Sequence, residues 1–401
     1  MKKRQHSVFK KIRSRGMSWF LSRLLQEAER ATSFRGSVLR PFMRVVYLAV
    51  LYPVNKWGYF THSEKTINKD TLYLFYDLEV SPVTFDFAWA LALAEQYRIK
   101  VKLKKLHVVF VPGNNKGLRE ETADYEECID LFARRWRRNE ILYPLCDLLT
   151  TCEGVTICST REEAYYICEK TRPHIFPKRY STTFPIAHST SHLFSNCSKD
   201  TMALRSTVQA RRYIKQWLET RLANRKLITI TLRCSSYMPD RNSNILAWAA
   251  FVNKLDLSEY FPVFLPDTDS AFNALPQELA GFVLFNEPAW NLNLRAAMYE
   301  LSYLNLGVNN GAMVLCWLNA KCRYITFKMM VPGVPQTTRA AMTAQGFEIG
   351  ESLPFATLLQ KWVWEDDEAD IIAREFNRMC QLILRKSNIG GSIESLSIEI
   401  T

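Results

Sequence analysis

The sequence lacks the short motifs that mark several well-known chemistries. No Cys-x-x-Cys pair occurs among its 10 cysteines, and no cysteine–histidine cluster has zinc-finger spacing. There is also no Walker sequence, no HExxH and no Ser–His–Asp text. Most of the cysteines lie in apolar stretches, where a free thiol packs as a small hydrophobic group. The sequence therefore predicts reduced thiols in a cytoplasmic protein that uses no metal and no cofactor.

Glycine and proline are also scarce, with 14 and 16 residues in a chain of 401. This scarcity excludes collagen-like and low-complexity proteins. Hydrophobic residues make up 48% and charged residues 23%, which is ordinary for a chain that buries a large core. A chain of this length predicts two domains.

Long hydrophobic runs are missing as well. The longest apolar run covers residues 45–54 and contains Pro53, whereas a helix that spans a bilayer needs about 20 apolar residues. Positive charge is concentrated at the start, because residues 1–60 hold 13 Lys/Arg against Glu27 and Glu29. That segment carries +11 of the total net charge of +12. A nucleic-acid-binding protein would carry its basic charge through the folded body, so the sequence argues against nucleic acid as a partner.

The basic segment has an amphipathic part. In residues 17–30, Trp19, Phe20, Leu24 and Leu25 can share one side of a helix. Basic charge combined with aromatic and aliphatic side chains fits a helix that lies on an anionic membrane surface. A helix that packs against the protein's own body fits the same pattern. We predict a basic N-terminal helical arm at residues 1–69, with peripheral contact to the inner membrane face through residues 1–60.

Apolar strands alternate with helices from residue 70 onward, and the alternation restarts after a loop-rich stretch. Continuous apolar strands are typical of a parallel sheet that is covered on both faces. The sequence thus predicts an α/β protein with two Rossmann-like doubly wound domains that face a cleft. The predicted parts after the arm are a first domain at 70–200, a connection at 201–226, a second domain at 227–364 and a C-terminal helix and tail at 365–401.

Polar residues follow the predicted strands of the second domain, where ligands of such sheets bind. The candidate ligand-binding residues are Arg233, Arg241, Asn242, Asp267, Asp269, Glu287, Arg295, Asn309, Asn310 and Gly311. Gly311 would open a helix whose free N–H groups can bind phosphate, and Arg233 could bind a diphosphate with two nitrogens. Other interpretations stay open. Asn310 and Gly311 also suit a simple turn, and Arg233 could pair with Asp267 or Asp269.

This order of elements, with Asn309-Asn310-Gly311 between the strands at 304–308 and 323–327, resembles the nucleotide-binding lobe of GT-B glycosyltransferases. It is also similar to a bacterial group of glycosyltransferases of this type. The resemblance covers residues 225–345 well and residues 70–200 only by fold pattern. It implies a nucleotide-sugar donor whose diphosphate lies at the loop containing Gly311. The chain departs from better-known families in lacking their spaced pair of glutamates and the H-L-A text after the glycine.

The first domain offers a candidate catalytic base. Asp77 ends the first predicted strand and Glu79 follows it, and sugar transfer needs a base for the acceptor hydroxyl. A histidine of the loop before the connection, such as His188, is an alternative. The leading hypothesis is a glycosyltransferase that acts on a glycan or lipid acceptor near a membrane. The alternatives are a nucleotide-sugar epimerase or hydrolase and a non-catalytic membrane-associated binding protein.

Overall fold

The computed structural model describes residues 68–188, 190, 193–194 and 199–398, together with the single positions 20, 41 and 45. Of residue 269 and residues 387–398 only the backbone is described. The chain divides into two compact units, Met1–Ala203 with Ala344–Gly346 and Leu204–Thr343 with Phe347–Thr401. Nearly all of the predicted arm lies outside the described residues.

The first unit contains a four-stranded parallel sheet with the order β3-β2-β1-β4. Its helices connect successive strands, and a π-helical turn, Arg138–Leu142, lies in the second connection, between β2 and β3. In chain order the elements are β1 (Thr71–Asp77), α1 (Phe87–Lys100), β2 (Lys105–Val111), α2 (Ala123–Cys128), α3 (Leu131–Arg137), α4 (Tyr143–Asp147), β3 (Cys152–Ile157), α5 (Arg161–Thr171) and β4 (Ile175–Phe176).

The second unit contains a six-stranded parallel sheet with the order β10-β9-β8-β5-β6-β7. In chain order its elements are α6 (Val208–Glu219), β5 (Lys226–Thr231), α7 (Ile245–Asn253), β6 (Tyr260–Leu265), β7 (Val283–Leu284), α8 (Leu292–Leu301), β8 (Leu304–Val308), α9 (Val314–Trp317), β9 (Tyr324–Phe327), α10 (Arg339–Ala344), β10 (Gln360–Trp362) and α11 (Ala369–Ile398).

The central strand β5 shows how its sequence covers both faces of the sheet. Side chains alternate along a strand, so Ile228 and Ile230 point to one face and Thr229 and Thr231 to the other. The two isoleucines are fully buried in a cluster with Trp248 of α7. The threonines are buried too, and Thr231 Oγ1 lies 2.8 Å from the Tyr299 hydroxyl of α8. Thr229 Oγ1 donates to Asn305 Oδ1. Both buried hydroxyls therefore have hydrogen-bond partners, as buried polar groups require.

The predicted α/β class with parallel sheets is confirmed, and eight of the strands overlap predicted ones. Two short edge strands, β4 and β10, were not predicted, because two or three residues carry too little periodicity. The single helix predicted at 120–138 is wrong. Two helices occupy that stretch, because the Asp130 side chain accepts from Ala133 N at 2.7 Å and starts a new helix there. Within the described part of the chain, no helix is both long enough and apolar enough to cross a bilayer.

Candidate functional site

The strand order of the second unit places a topological switch between β5 and β8. Counted within the unit, the order β10-β9-β8-β5-β6-β7 is 6-5-4-1-2-3, the doubly wound order of dinucleotide-binding folds. The chain proceeds outward from β5 in one direction and from β8 in the other. In such sheets ligands bind at the carboxyl ends of the strands, at this switch. The two loops that matter most are those that follow β5 and β8.

These two loops are tied together by one side chain. Arg241 lies in the loop after β5, and its Nη2 donates to the carbonyl oxygen of Asn309, after β8, at 3.0 Å. Asn309 is further held by its Nδ2, which donates to Met329 O at 3.0 Å just beyond β9. The structure therefore brings Arg241 and Asn309 together, as the prediction of a shared site requires.

Arg233 is oriented differently from what the sequence suggested. Its guanidinium is turned into its own loop, where it donates to Met238 O at 2.9 Å, to Tyr237 O at 2.6 Å and to the side chain of Asn242. Asn242 in turn accepts from Ser235 N at 3.1 Å. Arg233 and Asn242 thus shape the loop after β5 from the inside. A direct contact between either residue and a donor stays a prediction.

Asp267 connects the loop after β5 with the loop after β6. One carboxylate oxygen accepts from Cys234 N at 3.2 Å and the other from Thr268 N at 2.8 Å. Pairing of Arg233 with Asp267 stays an alternative interpretation, beside these two bonds to backbone N–H groups. The side chain of Asp269 lies outside the described residues.

Asn310 and Gly311 form the turn at the start of the helical segment after β8. Asn310 is buried; its Oδ1 accepts from Met313 N at 3.2 Å, so it is a helix N-cap. Gly311 is exposed and begins a 3₁₀ turn, Gly311–Met313, that continues into α9. Gly307 of β8 lies close to the backbone of β5. A Cβ on Gly307 would lie 3.0 Å from Thr231 O, so a larger residue there would push β8 away from β5.

Glu287 and Arg295 belong to the neighbouring edge of the sheet. Arg295 is only 4% exposed; its Nη2 donates to Pro266 O at 2.8 Å and its Nε to Pro288 O at 2.7 Å. It therefore holds the ends of β6 and of the 3₁₀ turn Glu287–Ala289 from within, where the sequence suggested a side chain facing the ligand. Glu287 is exposed on that turn. Donor contacts by these two residues stay predictions.

Lys328 was not among the predicted residues. It follows β9 directly, has a left-handed backbone with φ of 55°, and donates from Nζ to Asn242 O at 3.1 Å. The same Nζ lies 3.8 Å from Asp367 Oδ1. Burial raises the pKa of Asp367, although donors from Asn244 N and Trp248 Nε1 oppose the shift. The sequence could have indicated Lys328, because it directly follows the strand predicted at 323–327, just as Arg233 follows β5.

In the first unit, Asp77 is buried at 1% exposure and its carboxylate is fully engaged. Oδ1 accepts from Arg161 Nη1 and Oδ2 from Arg161 Nη2, both at 2.9 Å, and Tyr180 OH donates to Oδ2 at 2.7 Å. Burial, followed by the charge of Asp77, raises the pKa of Tyr180 and keeps it a donor. Glu79 N adds a fourth bond at 3.0 Å. A catalytic role for Asp77 stays a prediction.

Glu79 is half-buried at the same edge of the first sheet. Its Oε2 accepts from Asn114 N at 2.5 Å and so joins the loops that follow β1 and β2. Gly113 makes this loop possible, because a Cβ there would lie 2.5 Å from the Leu118 backbone. The structure thus places Asp77 and Glu79 side by side, and the carboxylate of Glu79 is the more accessible of the two. No group of His, Cys, Asp or Glu side chains in the described residues has the arrangement of a metal site.

Comparisons with known proteins give fold-level similarities. No protein-family model matches the chain, and no curated protein sequence matches it. Among solved structures, the chain is similar to a glycosyl transferase family 9 protein from Veillonella parvula, with 8% identity, 66% of this chain and 82% of the other covered, and a TM-score of 0.43. It is also similar to E. coli ADP-heptose LPS heptosyltransferase II, with 10% identity, 79% and 99% covered, and a TM-score of 0.45. A third match is the wall teichoic acid polymerase TagF, with 10% identity, 87% and 90% covered, and a TM-score of 0.29. Similarities of this size do not establish a family.

Proposed function

We propose that the protein is a glycosyltransferase that moves a sugar from a nucleotide-sugar donor to a glycan or lipid acceptor. The observation that carries this proposal is the switch between β5 and β8, where Arg241 joins the two loops by its bond to Asn309. A site at this position takes a nucleotide in doubly wound folds. The arginine and the exposed turn at Gly311 suit a diphosphate, since both offer N–H donors to anionic oxygens.

The donor site we propose has two kinds of residue. Arg241, Lys328 and the backbone at Gly311 are the groups that would contact the diphosphate. Arg233 and Asn242 hold the loop after β5 in shape, and Arg295 does the same for the ends of β6 and the turn beyond β7. A preformed loop lowers the free-energy cost of binding, because less chain has to be ordered around the ligand.

The reaction requires a base for the acceptor. The acceptor oxygen forms a bond to the anomeric carbon, the bond from that carbon to the donor diphosphate breaks, and the hydroxyl proton goes to the base. Glu79 is the proposed base, because it is half-buried and Asp77 is saturated with hydrogen bonds. Asp77 would then position the segment that carries Glu79, through the bond from Glu79 N. That the two units face a common cleft stays a prediction.

Thermal unfolding of the full chain in the presence of nucleotide sugars tests the proposal. A ligand that binds only the native state stabilises it by about 2.7 kcal/mol at 100 times its Kd, which raises Tm measurably. At least one nucleotide sugar should do so, and Glu79→Gln should keep that shift while slowing transfer by about 10²- to 10⁴-fold. If no nucleotide or nucleotide sugar raises Tm at millimolar concentration, the proposal is wrong.

Membrane proximity is a separate part of the proposal. Residues 1–60 carry a net charge of +11 and lie almost wholly outside the described residues. Each Lys or Arg near an anionic surface contributes about 1 kcal/mol, so the chain should sediment with anionic vesicles at low salt and dissociate as salt rises. Binding to neutral and anionic vesicles alike would contradict this part and leave the donor site unaffected.

A further inference from the structure

Phe272 is a large aromatic residue left in water at the carboxyl edge of the second sheet. It is 86% exposed, although its neighbour Ala271 is buried at 4%. Its ring stacks on that of Trp290, with ring centroids 4.9 Å apart and an angle of 7° between the planes. Two parallel rings with one so exposed form a flat apolar surface.

This surface belongs to the same edge as the switch loops. Phe272 follows β6 and Trp290 follows β7, and both strands run parallel to β5. The two loops are held together, because Thr268 Oγ1 donates to Ala289 O at 3.2 Å. Asp267 bonds the loop after β6 to the loop after β5 through Cys234 N. The aromatic pair is therefore part of a connected set of loops that begins at the proposed diphosphate site.

The exposure of Phe272 is costly for a residue with only a packing role. Burying a phenylalanine side chain stabilises a protein by roughly 1.5–3 kcal/mol, and Phe272 forgoes most of that gain. Trp290 covers one face of its ring, so the other face remains for a partner. A ring held this way against a second ring is suited to a flat, weakly polar ligand.

We propose that Phe272, supported by Trp290, is the stacking platform for the nucleobase of the donor. This inference rests on the proposed function and adds the position at which the base end of the donor binds. Neighbouring strands lie about 4.8 Å apart, so β7 is about 10 Å from β5. A nucleoside diphosphate can span that distance, with its phosphates at the switch and its base on Phe272. Every base has a π-face, so the platform holds the nucleotide whatever its base.

Binding of nucleoside diphosphates and of inorganic pyrophosphate to the full chain, measured by calorimetry, tests this platform. ADP, GDP, UDP and CDP are used with the parent and with Phe272→Leu and Phe272→Tyr. Leucine keeps an apolar side chain and loses the ring, whereas tyrosine keeps the ring. The matched control is Leu358→Ala. Leu358 is 84% exposed but precedes β10, at the amino edge of the same sheet.

We expect Phe272→Leu to weaken nucleotide binding by about 5- to 150-fold, as stacking of one base is worth about 1–3 kcal/mol. Phe272→Tyr and Leu358→Ala should bind as the parent does, and affinity for pyrophosphate should not change in any variant. Equal nucleotide affinity in the parent and in Phe272→Leu would overturn the platform and leave the proposed function standing. A parent that binds nucleotides no better than pyrophosphate overturns both the platform and the nucleotide donor.

Discussion

The side chain of Arg241 donates a 3.0 Å hydrogen bond to the backbone carbonyl of Asn309, across the point where the sheet of the second unit changes its winding direction. The two residues are far apart in sequence, and each lies in the loop that follows its strand. Because the acceptor is a backbone atom, the bond fixes the position of the loop after β8. A guanidinium carries five N–H donors, and this bond uses one of them.

Arg241→Ala should therefore weaken nucleotide binding while the protein stays folded. We expect a loss of about 10-fold or more, since a hydrogen bond to a charged group contributes about 1.5–3 kcal/mol. Arg221→Ala is the matched control, because the Arg221 side chain donates to Trp217 O and Thr220 Oγ1 in its own turn and precedes β5 at the opposite edge. Equal nucleotide affinity in both variants, measured by calorimetry, would show that Arg241 has a purely structural role.

Gly311 gives a second test of the same loop. Its φ is not in the left-handed region, so a side chain there strains no backbone, and Gly311→Val should fold. Its branched side chain would occupy the space where phosphate oxygens approach the backbone N–H groups, and nucleotide affinity should fall by more than stability does. Asn310→Ala should behave oppositely. It removes the cap to Met313 N and should cost about 0.5–2 kcal/mol of stability by chemical denaturation.

Nucleotide binding by Gly311→Val at the parent's affinity would contradict a phosphate site at this turn. Gly311→Ala is the graded control, because a single methyl group should impair binding less than the isopropyl group does. An unfolded Gly311→Val protein would be recognised by its far-UV circular dichroism. In that case Gly311→Ala gives the answer by itself, since it adds only one carbon at an exposed position.

The positions of polar residues after strands could be predicted from the sequence, and the directions of their side chains could not. Period and apolar character indicated β5, β6 and β8, and thus the residues that follow them. Arg233 and Arg241 look alike in that pattern. In the structure one is turned into its own loop and the other reaches Asn309. That difference depends on the fold of residues 234–242, which no periodicity encodes.

The residues that were missed, Lys328 and Phe272, were missed for different reasons. Lys328 follows the strand at 324–327 just as Arg233 follows β5, and it could have been found by applying the rule again. Phe272 could not have been found in this way, because the residue type alone does not distinguish an exposed phenylalanine from a buried one. Asp77 was found by position, but its saturation by Arg161 and Tyr180 depends on residues that are distant in sequence.

The buried pair of Asp77 and Arg161 should be important for the stability of the first unit. Arg161 also donates to Pro112 O at 2.8 Å and to Thr182 O at 2.5 Å, so it joins the segments after β1, β2 and β4. Asp77→Ala leaves this guanidinium without its carboxylate and should lower the free energy of unfolding by about 3–5 kcal/mol. Lys104→Ala, which breaks an exposed pair with Asp70, should cost about 0–1 kcal/mol.

The double replacement of Asp77 by Leu and Arg161 by Met separates charge from packing. Apolar residues of similar volume often replace a buried pair at little cost, so the double variant should recover part of the stability that Asp77→Ala loses. Denaturant unfolding of the four proteins measures this. Equal destabilisation by Asp77→Ala and by Lys104→Ala would mean that the pair contributes no more than an exposed one.

His188 gives the first unit a dependence on pH. Its ring lies between those of Tyr76 and Phe176, at centroid distances of 5.8 and 5.7 Å, and both contacts are stacked. Nε2 is buried and has no hydrogen-bond partner among the described residues. Burial lowers the pKa of His188 to about 4, which a hydrogen bond with the Phe75 backbone opposes only in part. A proton on Nε2 would be a buried charge without a partner.

The sign of the effect follows from the two states. An unfolded histidine takes up its proton near pH 6.5, whereas folded His188 resists protonation until about pH 4. The stability that depends on neutral His188 is therefore fully present above pH 6.5 and is lost as pH falls from about 6.5 to about 4. The loss amounts to about 3 kcal/mol at most. His188→Phe keeps an aromatic ring in the stack and removes the proton site, so its free energy of unfolding should fall less over this range. Denaturant unfolding of both proteins at pH 7.5, 6 and 4.5 measures the difference, and parallel pH profiles would show that His188 is not the group responsible.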